Sequence, residues 1–444
     1  MSADQDIFDA IVVGAGPAGL SAALRMAQGG LNVVVVERGE SAGSKNLGGL
    51  LYTTQLEKLL PGCQERALRE GALERAVSRR RIVYLGEERH MALDFGAEAW
   101  SGAPGNHTWT VHRPAFDRWF AKQAEDAGAN LVEGMVVDEL VYEGEGQARR
   151  AVGVRLRGDE EFRCRVVVLA DGAHGLAGQA ARKELGMTSP HPQHFALGVK
   201  EAIALPAQVI EDRFGLAPGQ GAALDFIGEP FKGLIGGAFI YTQRETLNVG
   251  FAGRLDSLQK VGVEPGEVLD RFKRHPEIQR LLKGGELLEY GAHLIPEGGI
   301  DCVPQLTGNG VVVVGDAAGL VNMSLYKEGT NHAMESGRLA ADAVIAASAS
   351  GDFTRAGLAS YEKAMAESLA LQDLRKVREL PAVLEGAPGL LGEYPDRICH
   401  LLTDWFTITD EPKERMQKRA VKQALGGLSK LRLARDLYRA RRLM

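Results

Sequence analysis

The 444-residue chain has few cysteines and no strong excess of charge, and both shortages exclude whole classes of protein. Its four cysteines lie far apart without Cys-x-x-Cys spacing, so we expect buried, reduced thiols and predict no metal site. A net charge of −6 does not indicate a nucleic-acid partner. The sequence also lacks a basic signal peptide and the run of about 18 apolar residues that a membrane-spanning helix needs. These absences predict a cytoplasmic protein, with peripheral attachment to the inner face of the cell membrane left open.

The N-terminal segment has the pattern of a strand–helix–strand unit. Residues 8–16 (FDAIVVGAG) form a β-branched run closed by glycines, which predicts a buried strand. Residues 17–30 (PAGLSAALRMAQGG) predict a helix with proline in its first turn and a glycine pair at its end. Residues 31–37 (LNVVVVE) then predict a second, parallel strand.

Three glycines in this unit make the G-x-G-x-x-G pattern of a dinucleotide site. Gly14 permits the tight turn, Gly16 lets a pyrophosphate approach the backbone, and Gly19 lets the helix pack closely on the strand. Free N–H groups at the start of the helix attract the phosphates. Glu37 ends the second strand, where a carboxylate accepts hydrogen bonds from the adenosine ribose. This pattern alone does not distinguish FAD from NAD.

A second segment, residues 310–319 (GVVVVGDAAG), favours FAD. It places Gly315 and Asp316 at the end of a buried strand that returns to the nucleotide domain, so the ligand is longer than a single ADP. Asp316 can reach the ribityl or pyrophosphate region. A helix beginning near Gly329 can direct its positive end at the flavin ring. We therefore predict FAD as the cofactor. No catalytic residue is predicted, because the isoalloxazine ring itself does the chemistry.

Several longer segments resemble the FixC family, which is related to the electron-transfer-flavoprotein:quinone oxidoreductases and includes EtfC-type subunits. The resemblance is specific in residues 42–52 (AGSKNLGGLLY), 293–322 and 326–342, and it extends to 393–413 near the C-terminus. It implies one FAD and complexes with the alpha and beta subunits of an electron-transfer flavoprotein and a ferredoxin-like, FixX-type iron–sulfur protein. In such complexes, some of them electron-bifurcating, electrons pass from NADH-reduced flavin to a quinone.

The resemblance and the motifs together give a set of expected FAD contacts. Asp171 and Gly172 are interpreted mainly as a strand-terminating turn near FAD, and for Arg113 a contact with the pyrophosphate or ribityl side competes with a surface ion pair. The predicted cofactor-binding residues are Gly14, Gly16, Pro17, Ala18, Gly19, Glu37, Arg38, Lys45, Asn46, Gly48, Gly49, Arg113, Asp171, Gly172, Gly315, Asp316, Gly329, Thr330 and Asn331. Among these, residues 45–49 resemble the loop beside the isoalloxazine, and residues 329–331 the turn at its pyrimidine end.

The expected architecture is α/β: a glutathione-reductase-type, Rossmann-like FAD domain, an interleaved α+β domain with an antiparallel sheet for substrate or quinone, and a helical C-terminal region. The FAD domain is expected to be discontinuous. The boundaries are 1–75, 108–190 and 300–350 for the FAD domain, 76–107 and 191–299 for the second domain, and 351–444 for the C-terminal region.

The C-terminal region carries two further patterns. Ile398, Leu402 and Phe406 belong to a set of apolar residues at helical spacing, for which core packing is preferred over a membrane-edge or quinone-entry element. Residues 413–444 hold eleven Lys/Arg against two acids, a basic amphipathic helix that the Gly426-Gly427 pair divides in two. Docking to a partner is slightly preferred over binding to anionic lipid.

Electron transfer from an electron-transfer flavoprotein through FAD to a quinone is the leading hypothesis. The alternative is a self-contained NAD(P)H-dependent flavoenzyme, either a prenyl reductase or an aromatic hydroxylase. A non-catalytic nucleotide-binding scaffold is the third, and it would leave two separated FAD elements without a use.

Overall fold

The computed structural model describes residues 7–44, 46–190 and 195–441. The strands are β1 Phe8–Val13, β2 Val33–Val36, β3 Gly48–Tyr52, β4 Arg75–Leu85, β5 His90–Gly96, β6 Thr108–His112, β7 Asn130–Val132, β8 Val137–Glu143, β9 Arg150–Leu156, β10 Glu161–Leu169, β11 Phe195–Ala204, β12 Gln220–Gly228, β13 Gly236–Thr242, β14 Thr246–Arg254, β15 Glu286–Pro296, β16 Thr307–Gly308 and β17 Val311–Val313.

The helices alternate with these strands and dominate the last hundred residues. They are α1 Pro17–Gln28, α2 Thr54–Leu59, α3 Cys63–Arg69, α4 Arg113–Asp126, α5 Leu176–Glu184, α6 Ala207–Phe214, α7 Leu255–Val261, α8 Pro265–Arg274, α9 Pro276–Leu282, α10 Thr330–Ser350, α11 Ala359–Ala366, α12 Leu369–Lys376, α13 Leu380–Gly386, α14 Glu393–Phe406, α15 Lys413–Leu425 and α16 Lys430–Ala440.

The chain forms two compact units, each built from three separate segments. The first comprises Met1–Ala76, Gly102–Ala196 and His293–Arg378, and the second comprises Val77–Ser101, Leu197–Ala292 and Glu379–Met444. The domain boundaries drawn from the sequence stay a prediction.

A mostly parallel sheet, in which β16 pairs antiparallel with β17, forms the centre of the first unit. Its strands lie in the order β16-β17-β10-β1-β2-β7, and β1 pairs in parallel with both β10 and β2. Every valine of Val33–Val36 is at most 1% exposed, because helices cover a parallel sheet on both faces. The β-branched runs recognised in the sequence are therefore the buried core strands of this sheet.

Helices α1 and α10 pack side by side over this sheet. A Cβ on Gly337 would overlap the carbonyl oxygen of Ala18, so glycine is required where the two helices approach. Farther along the pair, Arg25 Nε lies 2.7 Å from Asp342 Oδ1. This packing fixes the start of α10 relative to the start of α1.

The second unit contains an antiparallel sheet. Strand β13 pairs antiparallel with β12 on one side and with β14 on the other. One face of these strands, with Leu247 and Val249, packs against α6–α9 in an apolar core. Because side chains alternate along a strand, Asn248 lies on the opposite face.

The C-terminal helices leave much of their apolar surface in solvent. Ile398, Leu402 and Phe406 on α14 are 47%, 41% and 72% exposed, so the preferred prediction of core packing is wrong for these residues. The helix buries only a narrow side that includes Cys399, and the apolar stripe is wider than that side. Gly426 ends α15 and separates it from α16, as the glycine pair predicts. No helix in the described part of the chain has the length and apolar character to cross a membrane.

The predicted combination of a parallel α/β sheet, an antiparallel sheet and a helical C-terminal region is confirmed.

Candidate cofactor site

The glycine turn between β1 and α1 has the geometry that its pattern predicts. Gly14 has a φ of +105°, and a Cβ there would lie 2.5 Å from the carbonyl oxygen of Ala170. A Cβ on Gly19 would overlap the carbonyl oxygen of Gly14. At Gly16, by contrast, a Cβ would meet no atom within 4 Å. Two glycines are thus required by the protein's own packing, and the third faces open space where a pyrophosphate can approach the backbone. Pro17 and Ala18 follow as the first residues of α1, so its free N–H groups face the same place.

Glu37 lies directly after β2 and is fixed by the loop around it. Its Oε2 accepts a hydrogen bond from the N–H of Ala15 at 2.8 Å, and its Oε1 accepts one from the N–H of Gly39 at 2.6 Å. A carboxylate offers about four acceptor positions, so two remain for ribose hydroxyls. The neighbouring Arg38 is exposed.

Arg113 begins α4 and forms a two-pronged ion pair with Asp117. Its Nε and Nη2 lie 2.8 and 2.7 Å from the two carboxylate oxygens of Asp117, and the side chains are 13% and 1% exposed. Burial lowers the pKa of Arg113, but the charges of Asp117 and of Asp316 raise it, and the rise prevails. Arg113 is therefore in a buried ion pair with Asp117. It also interacts electrostatically with Asp316 of the second predicted FAD motif.

Gly315 follows strand β17 and lies beside the starts of α1 and α10. Gly315 has a φ of +63°, and a Cβ there would lie 2.7 Å from the Cβ of Ala18 and 3.5 Å from that of Ala333. Its N–H donates to Ser336 Oγ at 2.9 Å. Asp316 follows with a side chain that is 28% exposed, and its Oδ2 lies 3.9 Å from Nε2 of His293. The two motifs that the sequence separates by 300 residues thus meet at one place.

Asp171 and Gly172 form a strand-terminating turn, as interpreted from the sequence. Oδ2 of Asp171 accepts the N–H of Gly178 in the first turn of α5 at 2.8 Å, whereas its buried Oδ1 has no hydrogen-bond partner among the described residues. Burial raises the pKa of Asp171, opposed by the Gly178 hydrogen bond and by the charges of Arg182 and Arg38.

The segment before β6 differs in part from the predicted loop. Lys45 lies outside the described residues. Asn46 donates its N–H to the carbonyl oxygen of Gly43, which closes a short turn. Gly48 and Gly49 are the first residues of strand β3, not part of a loop, because they pair with β6 beside His112.

At the start of α10, Gly329 is the residue before the first helical one, Thr330. The side chain of Asn331 is buried and fully engaged within the protein. Its Nδ2 donates to Thr54 Oγ1 at 2.9 Å and to Glu328 Oε1 at 2.6 Å, and its Oδ1 accepts the N–H of Gln55 at 3.0 Å. The side chain of Asn331 is therefore not free to bind a flavin, which leaves the backbone N–H groups of this first turn available for that contact.

Two features were missed from the sequence. The first is a cluster of possible metal ligands whose ligand atoms lie within 4.8 Å of one another: Glu328, His332 and Asp373. The i, i+4 spacing of Glu328 and His332 indicates that these two side chains can meet, but nothing in the sequence links them to Asp373. On β14, Asn248 is fully buried, and neither polar atom of its side chain has a hydrogen-bond partner among the described residues.

Three family models match the chain. Residues 8–212 match the FAD binding domain, residues 195–295 the ubiquinone-binding region of ETF-QO, and residues 380–444 the C-terminal domain of the ETF-QO/FixC family. With the open glycine turn, the first match identifies FAD as the cofactor.

Curated relatives align over nearly the whole chain. A probable electron transfer flavoprotein-quinone oxidoreductase of Escherichia coli K12, YdiS, is 41% identical over 93% of this chain and 94% of its own length. The protein FixC of the same strain is 40% identical over 94% of this chain and 95% of its own.

Among solved structures, a geranylgeranyl bacteriochlorophyll reductase-like protein from Thermoplasma acidophilum superimposes with a TM-score of 0.71. It is 20% identical and covers 99% of each chain, so it supports the fold alone.

Proposed function

This chain belongs to the ETF-QO/FixC family of FAD-dependent oxidoreductases, and we propose that it passes electrons from an electron-transfer flavoprotein through FAD to a quinone. The observation that carries the FAD part of the proposal is the meeting of two helix starts at Gly315, which fits a ligand whose pyrophosphate and flavin are joined by a short ribityl chain.

Each part of the cofactor has residues suited to hold it. The N–H groups at Gly16 and the start of α1 suit the pyrophosphate, and the remaining acceptor positions of Glu37 suit the ribose. Asp316, in the field of Arg113, suits the ribityl hydroxyls. The positive end of α10 at Gly329 favours electron density at the pyrimidine side of the ring. When bound, FAD supplies the one- and two-electron chemistry, and these residues orient it.

A face of the antiparallel sheet is suited to the quinone. Asn248 lies opposite Tyr241 in the β13–β14 pair, and the ring of Tyr241 stacks on Phe239 with centroids 4.7 Å apart. An aromatic surface beside an unpaired amide matches a quinone, which has a flat ring and carbonyl oxygens that accept hydrogen bonds. Asn248 is therefore proposed to donate to a quinone carbonyl.

The cysteines support placing any iron–sulfur cluster on another polypeptide. The four cysteines lie far apart in sequence, and none has the Cys-x-x-Cys spacing that cluster sites use. A ferredoxin-like protein of the FixX type, together with the two electron-transfer-flavoprotein subunits, completes the proposed electron path.

The exposed apolar residues of the C-terminal region support peripheral attachment to a membrane. Phe406, Ile408 and Leu431 are 72%, 71% and 87% exposed beside a segment with a large excess of Lys and Arg. Apolar and basic groups together bind the surface of a bilayer that contains anionic lipid, and apolar quinones are dissolved in the interior of that bilayer. Binding to vesicles that contain anionic lipid, lost at high salt, would support this location.

The test is anaerobic reduction of the purified yellow protein. NADH or NADPH alone is expected to reduce the flavin slowly, and NADH with the electron-transfer-flavoprotein subunits is expected to reduce it fast. A soluble quinone should then reoxidise it. Rapid direct reduction by NADH or NADPH would overturn the proposal in favour of a self-contained enzyme.

A substitution at Asn248 can separate reaction with the quinone from reduction of the flavin. Asn248→Leu replaces two unpaired buried polar atoms with methyl groups on a skeleton of the same branching, so it breaks no hydrogen bond within the protein and should keep the fold. We expect the KM for quinone to rise roughly tenfold, as for a lost hydrogen bond of about 1.4 kcal/mol, with flavin reduction unchanged. An unchanged KM would remove Asn248 from the quinone site.

A further inference from the structure

A second cluster of side chains lies at the start of α10. Glu328 precedes the helix, His332 is in its first turn, and Asp373 reaches in from α12. Nε2 of His332 lies 3.7 Å from Oε2 of Glu328 and 3.5 Å from Oδ2 of Asp373. One imidazole nitrogen and two carboxylate oxygens therefore surround a common point.

The imidazole of His332 lacks the hydrogen bonds that a buried histidine normally makes. Its side chain is 0% exposed, and neither ring nitrogen has a hydrogen-bond partner among the described residues. An imidazolium held by carboxylates would donate at about 2.7–2.9 Å. Both observed separations are much longer, so the ring is directed at the carboxylates without bonding to them.

The two carboxylates of this cluster, Glu328 and Asp373, can be neutralised by a cation. Two ionised carboxylates around a neutral imidazole would balance a divalent ion.

The spacing and the donor types indicate which ion. Zinc binds nitrogen and oxygen at about 2.0–2.2 Å in a tetrahedron, which separates neighbouring ligand atoms by about 3.4 Å. The separations of 3.5 and 3.7 Å around His332 Nε2 are close to this value. Calcium and magnesium prefer oxygen ligands alone. We propose that Glu328, His332 and Asp373 bind a Zn²⁺ ion, with water as the fourth ligand.

The surroundings hold the three ligands in place and leave a way in. Asn331 donates to the free oxygen of Glu328, Oε1, at 2.6 Å, an orienting contact of the kind that metal-binding carboxylates have. Glu335 accepts the N–H groups of Leu369 and Ala370, which fixes α12 against α10. The side chain of Asp373 is 35% exposed, so ions can enter from its side.

The bound ion joins the first turn of α10 to α12. It therefore fixes the helix start that faces the proposed flavin ring, but the site itself does not depend on the proposed function. Metal binding can be measured whether or not the protein reduces a quinone.

The experiment titrates the FAD-loaded protein with ZnCl₂ by calorimetry after treatment with a chelator and its removal. A single Zn²⁺ per chain is expected, together with a rise in melting temperature on saturation. Co²⁺ as a spectroscopic probe should show the intense visible bands of tetrahedral coordination. Asp373→Asn should weaken Zn²⁺ binding by at least about tenfold and abolish the Co²⁺ bands.

A matched control is His90→Gln, since His90 also lies beside a carboxylate, 3.9 Å from Glu277, but is 42% exposed. It should bind Zn²⁺ like the unchanged protein. His332→Gln gives a second loss of binding, and the partly exposed Asp373→Asn remains decisive if His332→Gln does not fold. The proposal is overturned if Zn²⁺ binding does not saturate, or if Asp373→Asn binds it as tightly as the unchanged protein.

Discussion

The starts of α1 and α10 lie on either side of Gly315, and they are built in opposite ways. The start of α1 carries no side chain at Gly16, and a Cβ there would meet nothing within 4 Å. The start of α10 is crowded with buried polar side chains, including Asn331 and His332. Both expose the N–H groups that any helix leaves unpaired in its first turn.

The difference indicates two uses of the same helix-end chemistry. At α1 the absence of side chains lets phosphate oxygens reach the backbone directly. At α10 the side chain of Asn331 bonds to Glu328 and to α2, so the helix end acts on the flavin through its N–H groups and dipole. Substitutions at the two helix starts should therefore differ in their effects on FAD binding and on stability.

The largest effect is expected for Gly19→Val. A Cβ at this position would overlap the carbonyl oxygen of Gly14, so α1 cannot pack on β1 and the protein should lose both FAD and its cooperative unfolding. Gly102→Ala is the control, because a Cβ there meets no atom within 4 Å. The ratio of flavin to protein absorbance and thermal unfolding measure both losses; a stable, yellow Gly19→Val protein would contradict the packing argument.

Gly16→Leu should remove FAD but keep the fold. A Cβ there meets no protein atom within 4 Å, so the side chain can enter the open space and displace the pyrophosphate. Loss of two hydrogen bonds to a charged group, at about 1.5–3 kcal/mol each, lowers FAD affinity by at least about a hundredfold. Equilibrium dialysis with FAD and the melting temperature of the FAD-free protein give the two readings. Retained FAD affinity would show that the phosphates bind elsewhere.

Asn331→Ala should act on stability more than on FAD. It leaves the N–H of Gln55 and the carboxylate of Glu328 without their partner, which lowers the free energy of unfolding by about 2–3 kcal/mol. Denaturant unfolding measures the change. Asn130→Ala, at an exposed residue that makes one part-buried, 3.4 Å hydrogen bond, should cost less than about 1 kcal/mol. Similar losses in the two variants would show that the crowded start of α10 is not a cooperative network.

Local patterns predicted the geometry of the glycine turn because the residues that form it are nearly consecutive. The strand, the three glycines, the helix and Glu37 each follow from rules about nearby sequence, and Gly315 follows from a strand that ends on the same motif. The exposure of Phe406 could not be predicted, because a helical stripe does not state whether another element covers it.

The same limit applies to the other features that the sequence left out. Gly48 looks like a loop residue until β6 pairs with it. Asp373 is 41 residues from His332, and only the docking of α12 on α10 brings the two together. Each missed feature depends on a contact between segments that are distant in sequence.

The most direct test of the account is an experimental structure of the chain with FAD bound. We expect the pyrophosphate within hydrogen-bonding distance of the backbone at Gly16 and the first turn of α1, and the pyrimidine side of the flavin at Gly329 and Thr330. A flavin ring away from the start of α10, or a pyrophosphate away from Gly16, would contradict it.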